Sequence, residues 1–147
     1  MTQIDFWREQ AEDGDLESIR NLFFSFNAGE NGVEEDQLEA FRWALKLAES
    51  GDASFMGVTA KYYREGLDRL PKDLDQAFYW DRKGAALGDV GCMYGLAILY
   101  GTGEGVAPDP AKKEYWEKRA LARWQELEPE DLYYQEESYD SEDEETE

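Results

Sequence analysis

The chain repeats itself with a period of 37 residues. Gly14, Gly51 and Gly88 share one phase of this period, and an aspartate follows each of them. Other special residues recur at the same spacing: Ala11, Ala48 and Ala85; Phe26, Tyr63 and Tyr100; Phe6, Trp43 and Trp80. A period of roughly 20 to 50 residues is typical of arrays in which each unit buries its apolar face against its neighbours. The sequence therefore predicts three stacked units and the start of a fourth.

Each unit has the pattern helix, tight turn, helix, loop. Apolar residues of the second unit recur at spacings of three and four, which is typical of one helix face: Leu38, Phe41, Ala44, Leu45 and Ala48. Gly51 suits the left-handed backbone that ends a helix, and Asp52 suits the N-cap of the next one. Pro110 suits the first turn of a further helix. These patterns predict an all-α fold.

The negative charge is concentrated at the C-terminal end. The chain of 147 residues has 35 acidic against 15 basic residues, a net charge of −20, and ten of the acids lie in residues 129–147, which contain no Lys or Arg. We expect residues 1–128 to form one α-solenoid domain, with repeats at about 3–36, 37–73 and 74–110 and a capping helix at 110–128. We expect residues 129–147 to be an acidic, flexible tail that either aids solubility or binds a basic partner.

Several chemistries need residues that this chain lacks. It has no histidine, which excludes histidine-ligated zinc and Ser–His–Asp catalysis, and its single cysteine, Cys92, excludes an internal disulfide. We therefore predict no enzymatic activity, no cofactor and a cytoplasmic location. The negative charge disfavours nucleic acid as a ligand. We expect no membrane segment and no secretory signal, because no long apolar run occurs and the N-terminal residues lack a basic start.

The third unit carries a recognisable set of residues. Two runs stand out: Trp80, Ala85, Ala86 and Gly88, then Leu96, Leu99, Tyr100, Gly103, Gly105, Val106 and Asp109. With these runs the chain resembles the Sel-one-like repeat family, relatives of the tetratricopeptide repeat. The resemblance implies a right-handed α-solenoid of antiparallel helix pairs, about three repeats long with a C-terminal capping helix. It also implies a concave surface formed mainly by the first helices, a scaffold or adaptor role and no shared catalytic residues.

Candidate partner contacts lie opposite the apolar stripes of the first helices. In the body of the chain they are Arg42, Lys46, Gln76, Tyr79, Lys83 and Tyr115. Aromatic residues are enriched at the centres of interfaces, which favours Tyr79 and Tyr115. The acidic segment adds Tyr133, Tyr134, Glu136 and Glu137 as candidates.

The sequence thus favours a non-enzymatic protein–protein interaction module. Its most specific form is a bacterial immunity or antitoxin protein that neutralises a basic cognate toxin, because complementary charge speeds association. The alternative is an adaptor or scaffold of a larger complex. A third hypothesis is a nucleic-acid mimic whose acidic segment imitates phosphates, and the remaining one is an enzyme that uses carboxylates or a metal.

Overall fold

The computed structural model describes residues 1–127. Seven helices lie within them: α1 Gln3–Glu12, α2 Leu16–Ala28, α3 Gln37–Glu49, α4 Ala53–Glu65, α5 Leu74–Ala86, α6 Val90–Thr102 and α7 Pro110–Glu126. The described part of the chain has no strand beyond an isolated bridge between Leu67 and Leu70, in the loop after α4. The predicted all-α fold is confirmed.

The turn inside each helix pair is built as the repeat predicts. Gly51 adopts a φ of +103°, and Gly14 and Gly88 lie in the same left-handed region, where a side chain is disfavoured. The aspartate after each glycine is the N-cap of the second helix. The Asp52 carboxylate, for example, accepts a hydrogen bond from the backbone N–H of Phe55. The first and second helices of a unit are therefore joined by a turn that local chemistry specifies.

A second set of caps begins the first helices. Asp36, Asp73 and Asp109 are the N-caps of α3, α5 and α7, and Pro110 occupies the first turn of α7 as predicted. Asp109 follows Asp73 by 36 residues, whereas Asp73 follows Asp36 by 37. This shorter step explains why Trp116 lies one residue early in the repeat.

The helices pack in chain order around two neighbouring apolar clusters. The first lies among α1–α4 and comprises Ile4, Ala11, Ile19, Leu22, Phe23, Phe26, Ala40, Ala44, Leu47 and Phe55. The second lies among α3–α7 and comprises Ala48, Met56, Ala60, Trp80, Ala85, Val90, Cys92, Met93, Leu96 and Ala120. Leu47 is fully buried although the predicted stripe omitted it, because α3 is contacted by α2 as well as by α4. Leu38 and Leu45, which the stripe included, are only partly buried.

Helix α7 closes the described solenoid with a polar face. In the third unit, Phe78 packs edge-to-face on Tyr100 of the second helix, with ring centroids 5.9 Å apart. The equivalent residue of α7 is Glu114, whose carboxylate pairs with the ammonium of Lys118 at 2.8 Å. Leu121 is half exposed on the same side. A polar outer face suits a terminal repeat, and the assignment of α7 as a capping helix stays a prediction.

Candidate functional site

Five of the six predicted contact residues of the body fall in two rows on the outside of the first helices. The first row contains Asp5, Arg42, Tyr79 and Tyr115, and the second contains Glu9, Lys46, Lys83 and Arg119. All eight residues are exposed. The members of a row occupy the same position on successive first helices of a stacked array, so each row follows one side of the solenoid. We call this surface the first-helix face.

Two tyrosines are the largest exposed side chains of these rows. Tyr79 and Tyr115 are 52% and 53% exposed. Each ring stands edge-on against the tryptophan that follows it, Trp80 or Trp116, with centroids 5.1 Å apart in both cases. Trp80 is itself buried, which gives Tyr79 a rigid support. A tyrosine held in this way offers a partner a large contact area at a low cost in conformational entropy.

Cations flank the tyrosines. The Lys83 ammonium lies 5.8 Å from the centroid of the Tyr79 ring and 5.5 Å from that of Trp80. Arg42 pairs with Glu39 at 3.1 Å, and Glu39 in turn pairs with Arg8 of α1 at 3.5 Å. Exposed ion pairs of this kind contribute little to stability, so Arg42 can exchange Glu39 for a partner's carboxylate at small cost.

The first-helix face changes sign along the solenoid. The second row reads Glu9, Lys46, Lys83 and Arg119 from α1 to α7. The end near α1 is therefore acidic, and the end near α7 is basic and aromatic, in a chain whose net charge is −20. Sequence reasoning missed this gradient. The gradient becomes visible when the units are aligned position by position, whereas the net charge of the whole chain conceals it.

The remaining predicted residues lie apart from the tyrosines or outside the described part. Gln76 is exposed one turn before Tyr79 on α5. Arg42 also lines an open cleft of about 740 Å³ between the start of α3 and the loop after α4, together with Asp36, Glu39, Asp68 and Arg69. Tyr133, Tyr134, Glu136 and Glu137 lie outside the described residues, as does all of the predicted tail.

A buried polar cluster joins α4, α5 and α6. The Asp81 carboxylate is 1% exposed, and its Oδ2 lies 3.5 Å from Nη1 of Arg64. Asp89 accepts a hydrogen bond of 2.9 Å from the backbone N–H of Cys92. Burial raises the pKa of both carboxyls and, with the help of the neighbouring Asp89 charge, that of the Cys92 thiol. The thiol is therefore protonated and enclosed, which suits packing and disfavours nucleophilic chemistry.

The described part of the chain, residues 1–127, contains neither a candidate metal centre nor a candidate membrane span. No set of three or more His, Cys, Asp or Glu side chains is arranged there so as to bind a metal ion. None of the helices in this range has the length and apolar character needed to cross a bilayer.

The family of the chain follows from its repeats. The Sel1 repeat family model matches residues 16–52, 53–89 and 90–118, and the chain belongs to this family. The matched segments begin at α2, α4 and α6, so the family's unit is offset by one helix from the helix pairs used above. Its first two segments are 37 residues long, which is the period read from the sequence. Sel1 repeats are in general protein–protein interaction modules on a non-catalytic scaffold fold.

Solved structures show the same architecture. A Sel1 repeat protein from Oxalobacter formigenes is 30% identical, with a TM-score of 0.66 over 81% of this chain and 48% of that protein. The protein c5321, a protective antigen of uropathogenic Escherichia coli strains with an SLR fold, is 25% identical, with a TM-score of 0.71 over 84% of this chain. The chain spans about half the length of the first protein and 26% of the second. Among curated proteins, none matches this chain.

Proposed function

We propose that this chain is a non-enzymatic module that binds a protein partner on its first-helix face. The observation that carries the proposal is the pair Tyr79 and Tyr115, which are half exposed at equivalent positions and supported by tryptophans. Tyrosine, tryptophan and arginine dominate the residues that supply most of the binding energy in interfaces. The family's general role in protein interaction supports the same function.

The most specific form of the proposal is a bacterial immunity or antitoxin protein that neutralises a basic toxin in the cytoplasm. The net charge of −20 supports it, as do the acidic end of the first-helix face and the acids of residues 129–147. An acidic surface attracts a basic partner over a distance and speeds their encounter. In this form Tyr133, Tyr134, Glu136 and Glu137 also contact the partner. A buried free thiol such as Cys92 suits a reducing compartment.

A second candidate is an adaptor within a larger complex. It is favoured by the basic end of the first-helix face, where Lys83 lies over the Tyr79 ring and Arg119 follows Tyr115 by four residues on α7. A uniformly basic partner would be repelled at this end, whereas a partner with acidic or mixed charge would not. The two candidates therefore differ in the charge of the partner that they need.

The test is capture of the partner by the full chain from its native source, followed by binding measurements on the purified pair. The double variant Tyr79→Ala/Tyr115→Ala should weaken binding by about 100-fold or more, as expected for two central contacts. Phe24→Ala/Ile98→Ala is the matched control, because these exposed apolar residues lie on second helices, α2 and α6. Equal loss in the two double variants, or no loss in either, would reject the first-helix face as the binding surface.

Salt dependence separates the two candidates. A basic toxin should lose affinity steeply as ionic strength rises, because the attraction between exposed charges is screened within about 10 Å at 0.1 M salt. A captured partner that is acidic, or an affinity that salt does not change, would reject the immunity form and leave the adaptor.

A further inference from the structure

The loop between α2 and α3 contains an Asn–Gly pair in an unusual backbone conformation. Asn31 has a φ of +58°, which makes it the single residue other than glycine with a positive φ in residues 1–127, and Gly32 follows with a φ of +85°. The N–H of Val33 donates to the carbonyl of Glu30 at 3.3 Å. Two successive left-handed residues closed by such a bond are typical of a type I′ turn, in which Asn–Gly is a preferred pair.

The backbone nitrogen of Gly32 is open to water. In the described part of the chain its N–H donates no hydrogen bond, and a Cβ placed on Gly32 would have no neighbour within 4 Å. Both residues of the pair are exposed. The sequence has one other Asx–Gly pair, Asp13–Gly14, and there the N–H of Gly14 donates to the carbonyl of Ala11 at 3.0 Å. Only the pair in the α2–α3 loop therefore combines an exposed side-chain amide with an unbonded N–H on the next residue.

We propose that Asn31 is a site of spontaneous covalent modification through a succinimide. Hydroxide removes the proton from the N–H of Gly32, and the nitrogen attacks Cγ of Asn31. The bond from Cγ to Nδ2 breaks, and Nδ2 takes up a proton from water and leaves as ammonia. Water then opens the five-membered ring, at Cγ to give aspartate or at the backbone carbonyl carbon to give isoaspartate. Overall one water is consumed and one ammonia is released, with no oxidation or reduction.

A hydrogen bond of the Asn31 side chain restrains this reaction. Its Nδ2 donates to Oγ of Ser25 at 2.8 Å, and Ser25 in turn donates to the carbonyl of Asn21. Ser25 is fully buried in α2, so the acceptor is fixed in place. The side chain must leave this bond and rotate before Cγ can approach the nitrogen of Gly32. The folded chain is therefore modified slowly, at a rate that the Ser25 hydroxyl helps to set.

The modification changes the loop in two ways. A carboxylate replaces the amide, which adds one negative charge and removes the donor to Ser25. Isoaspartate also adds one carbon atom to the main chain, inside the turn that Glu30 and Val33 close. Val33 packs against the first apolar cluster, so a longer turn weakens the junction between α2 and α3. The stability of the domain therefore declines as the chain ages.

One tryptic peptide tests the proposal, because residues 21–42 contain all three asparagines of the chain and no internal Lys or Arg. The full chain is incubated folded in mildly alkaline buffer, and fragment ions then locate the mass change caused by loss of ammonia. Asn31 should react at least about tenfold faster than Asn21 and Asn27, because the N–H that follows each of those two residues is bonded inside α2. Labelling by an isoaspartate-specific methyltransferase identifies the product with the longer main chain.

Two variants examine the chemistry and the restraint separately. Asn31→Gln needs a less favourable six-membered ring and should react at least about tenfold more slowly than wild type. Ser25→Ala removes the acceptor and should speed the reaction at Asn31 about fivefold. Unchanged helical circular dichroism checks that both variants are folded. Equal rates at Asn31 and Asn27, or equal rates in wild type and Asn31→Gln, would overturn the site, and an unchanged rate in Ser25→Ala would overturn the restraint.

The effect on stability has its own control. Asn31→Asp carries the new charge without the extra main-chain atom. Urea should unfold the isoaspartate-containing chain at a lower concentration than Asn31→Asp, and equal midpoints would reject the decline in stability with age. None of these measurements involves a partner, so their failure is distinct from a failure of the proposed function.

Discussion

The cores of the second and third units fill equivalent space with different side chains. The second-unit core includes Ala44, Leu47, Phe55 and the partly buried Val58, and the third-unit core has Asp81, Gly84, Cys92 and Gly95 at the same repeat positions. Phe55 packs edge-on against Phe23 of α2, with centroids 5.0 Å apart. In the third unit, a Cβ on Gly84 would overlap the sulfur of Cys92, and a Cβ on Gly95 would overlap the carboxylate of Asp81.

The comparison indicates that the residues at these core positions change together from one unit to the other. Alanine, leucine, phenylalanine and valine fill this space in the second unit. In the third unit, Gly95 makes room for the Asp81 carboxylate and Gly84 makes room for the Cys92 thiol. Close packing explains this, because adding or removing even one methylene in a filled interior costs free energy. The buried carboxylate adds a desolvation penalty, which Arg64 offsets from α4.

The largest expected effect comes from removing the cation of the third-unit core. Arg64→Met leaves Asp81 buried without its partner and should lower the free energy of unfolding by about 3 kcal/mol. Arg20→Met is the control at the preceding junction, where the guanidinium pairs with Asp52 at 3.4 Å near the surface, and it should cost less than about 1 kcal/mol. Urea unfolding at neutral pH measures both values. An equal loss of unfolding free energy in the two variants would contradict the expectation that the buried ion pair matters more than the exposed one.

A smaller effect is expected when one residue of the third-unit core is replaced by its counterpart from the second unit. Gly95→Val copies Val58 of the second unit and should destabilise the protein by about 2 kcal/mol, because the new side chain meets the Asp81 carboxylate. Adding Asp81→Ala copies Ala44 as well and should recover about 1 kcal/mol. A double-mutant cycle from urea unfolding gives the coupling energy. Strictly additive effects would show that the two residues are not exchanged together.

The smallest expected effect is a difference in how the stability of the protein depends on pH. Burial raises the pKa of Asp81 above that of the unfolded chain, so folding takes up a proton between pH of about 4 and the raised value. Wild-type stability therefore rises as pH falls through this window, and Asp81→Asn lacks this contribution. Wild type should therefore gain stability relative to Asp81→Asn between about pH 7 and about pH 4.5. Asp75→Asn, the same substitution at an exposed position of α5, is the control, and an equal change in both variants would contradict the assignment to Asp81.

Much of the fold could be predicted because its signals are local. Gly51 specifies a helix end through its backbone conformation, and Asp52 specifies a helix start through its side chain. The position and the structural role of both residues could therefore be predicted from the sequence. The exposure of Tyr79 followed from its place opposite the apolar stripe of α5. The charge gradient of the first-helix face was also present in the sequence, but only a comparison between units exposes it.

Burial of Asp81 could not be predicted in the same way. An aspartate on a helix can face either solvent or a neighbouring helix, and most aspartates are exposed to solvent. Gly95, where the second unit has valine, is the signal that space is reserved for a larger group, which here is the Asp81 carboxylate. Leu47 was missed for a related reason, since α3 is covered on two sides and its apolar surface exceeds one stripe.

The sequence by itself determined the period, the seven helices, their caps and the turns within each pair, because these depend on residues within a few positions of one another. Only the tertiary structure decided that a polar residue such as Asp81 is covered. Arg64 reaches Asp81 from another unit, and Gly95 admits its carboxylate from another helix. Burial is a property of contacts between distant residues, so the same helical pattern leaves Tyr79 in solvent and encloses Asp81 two residues later.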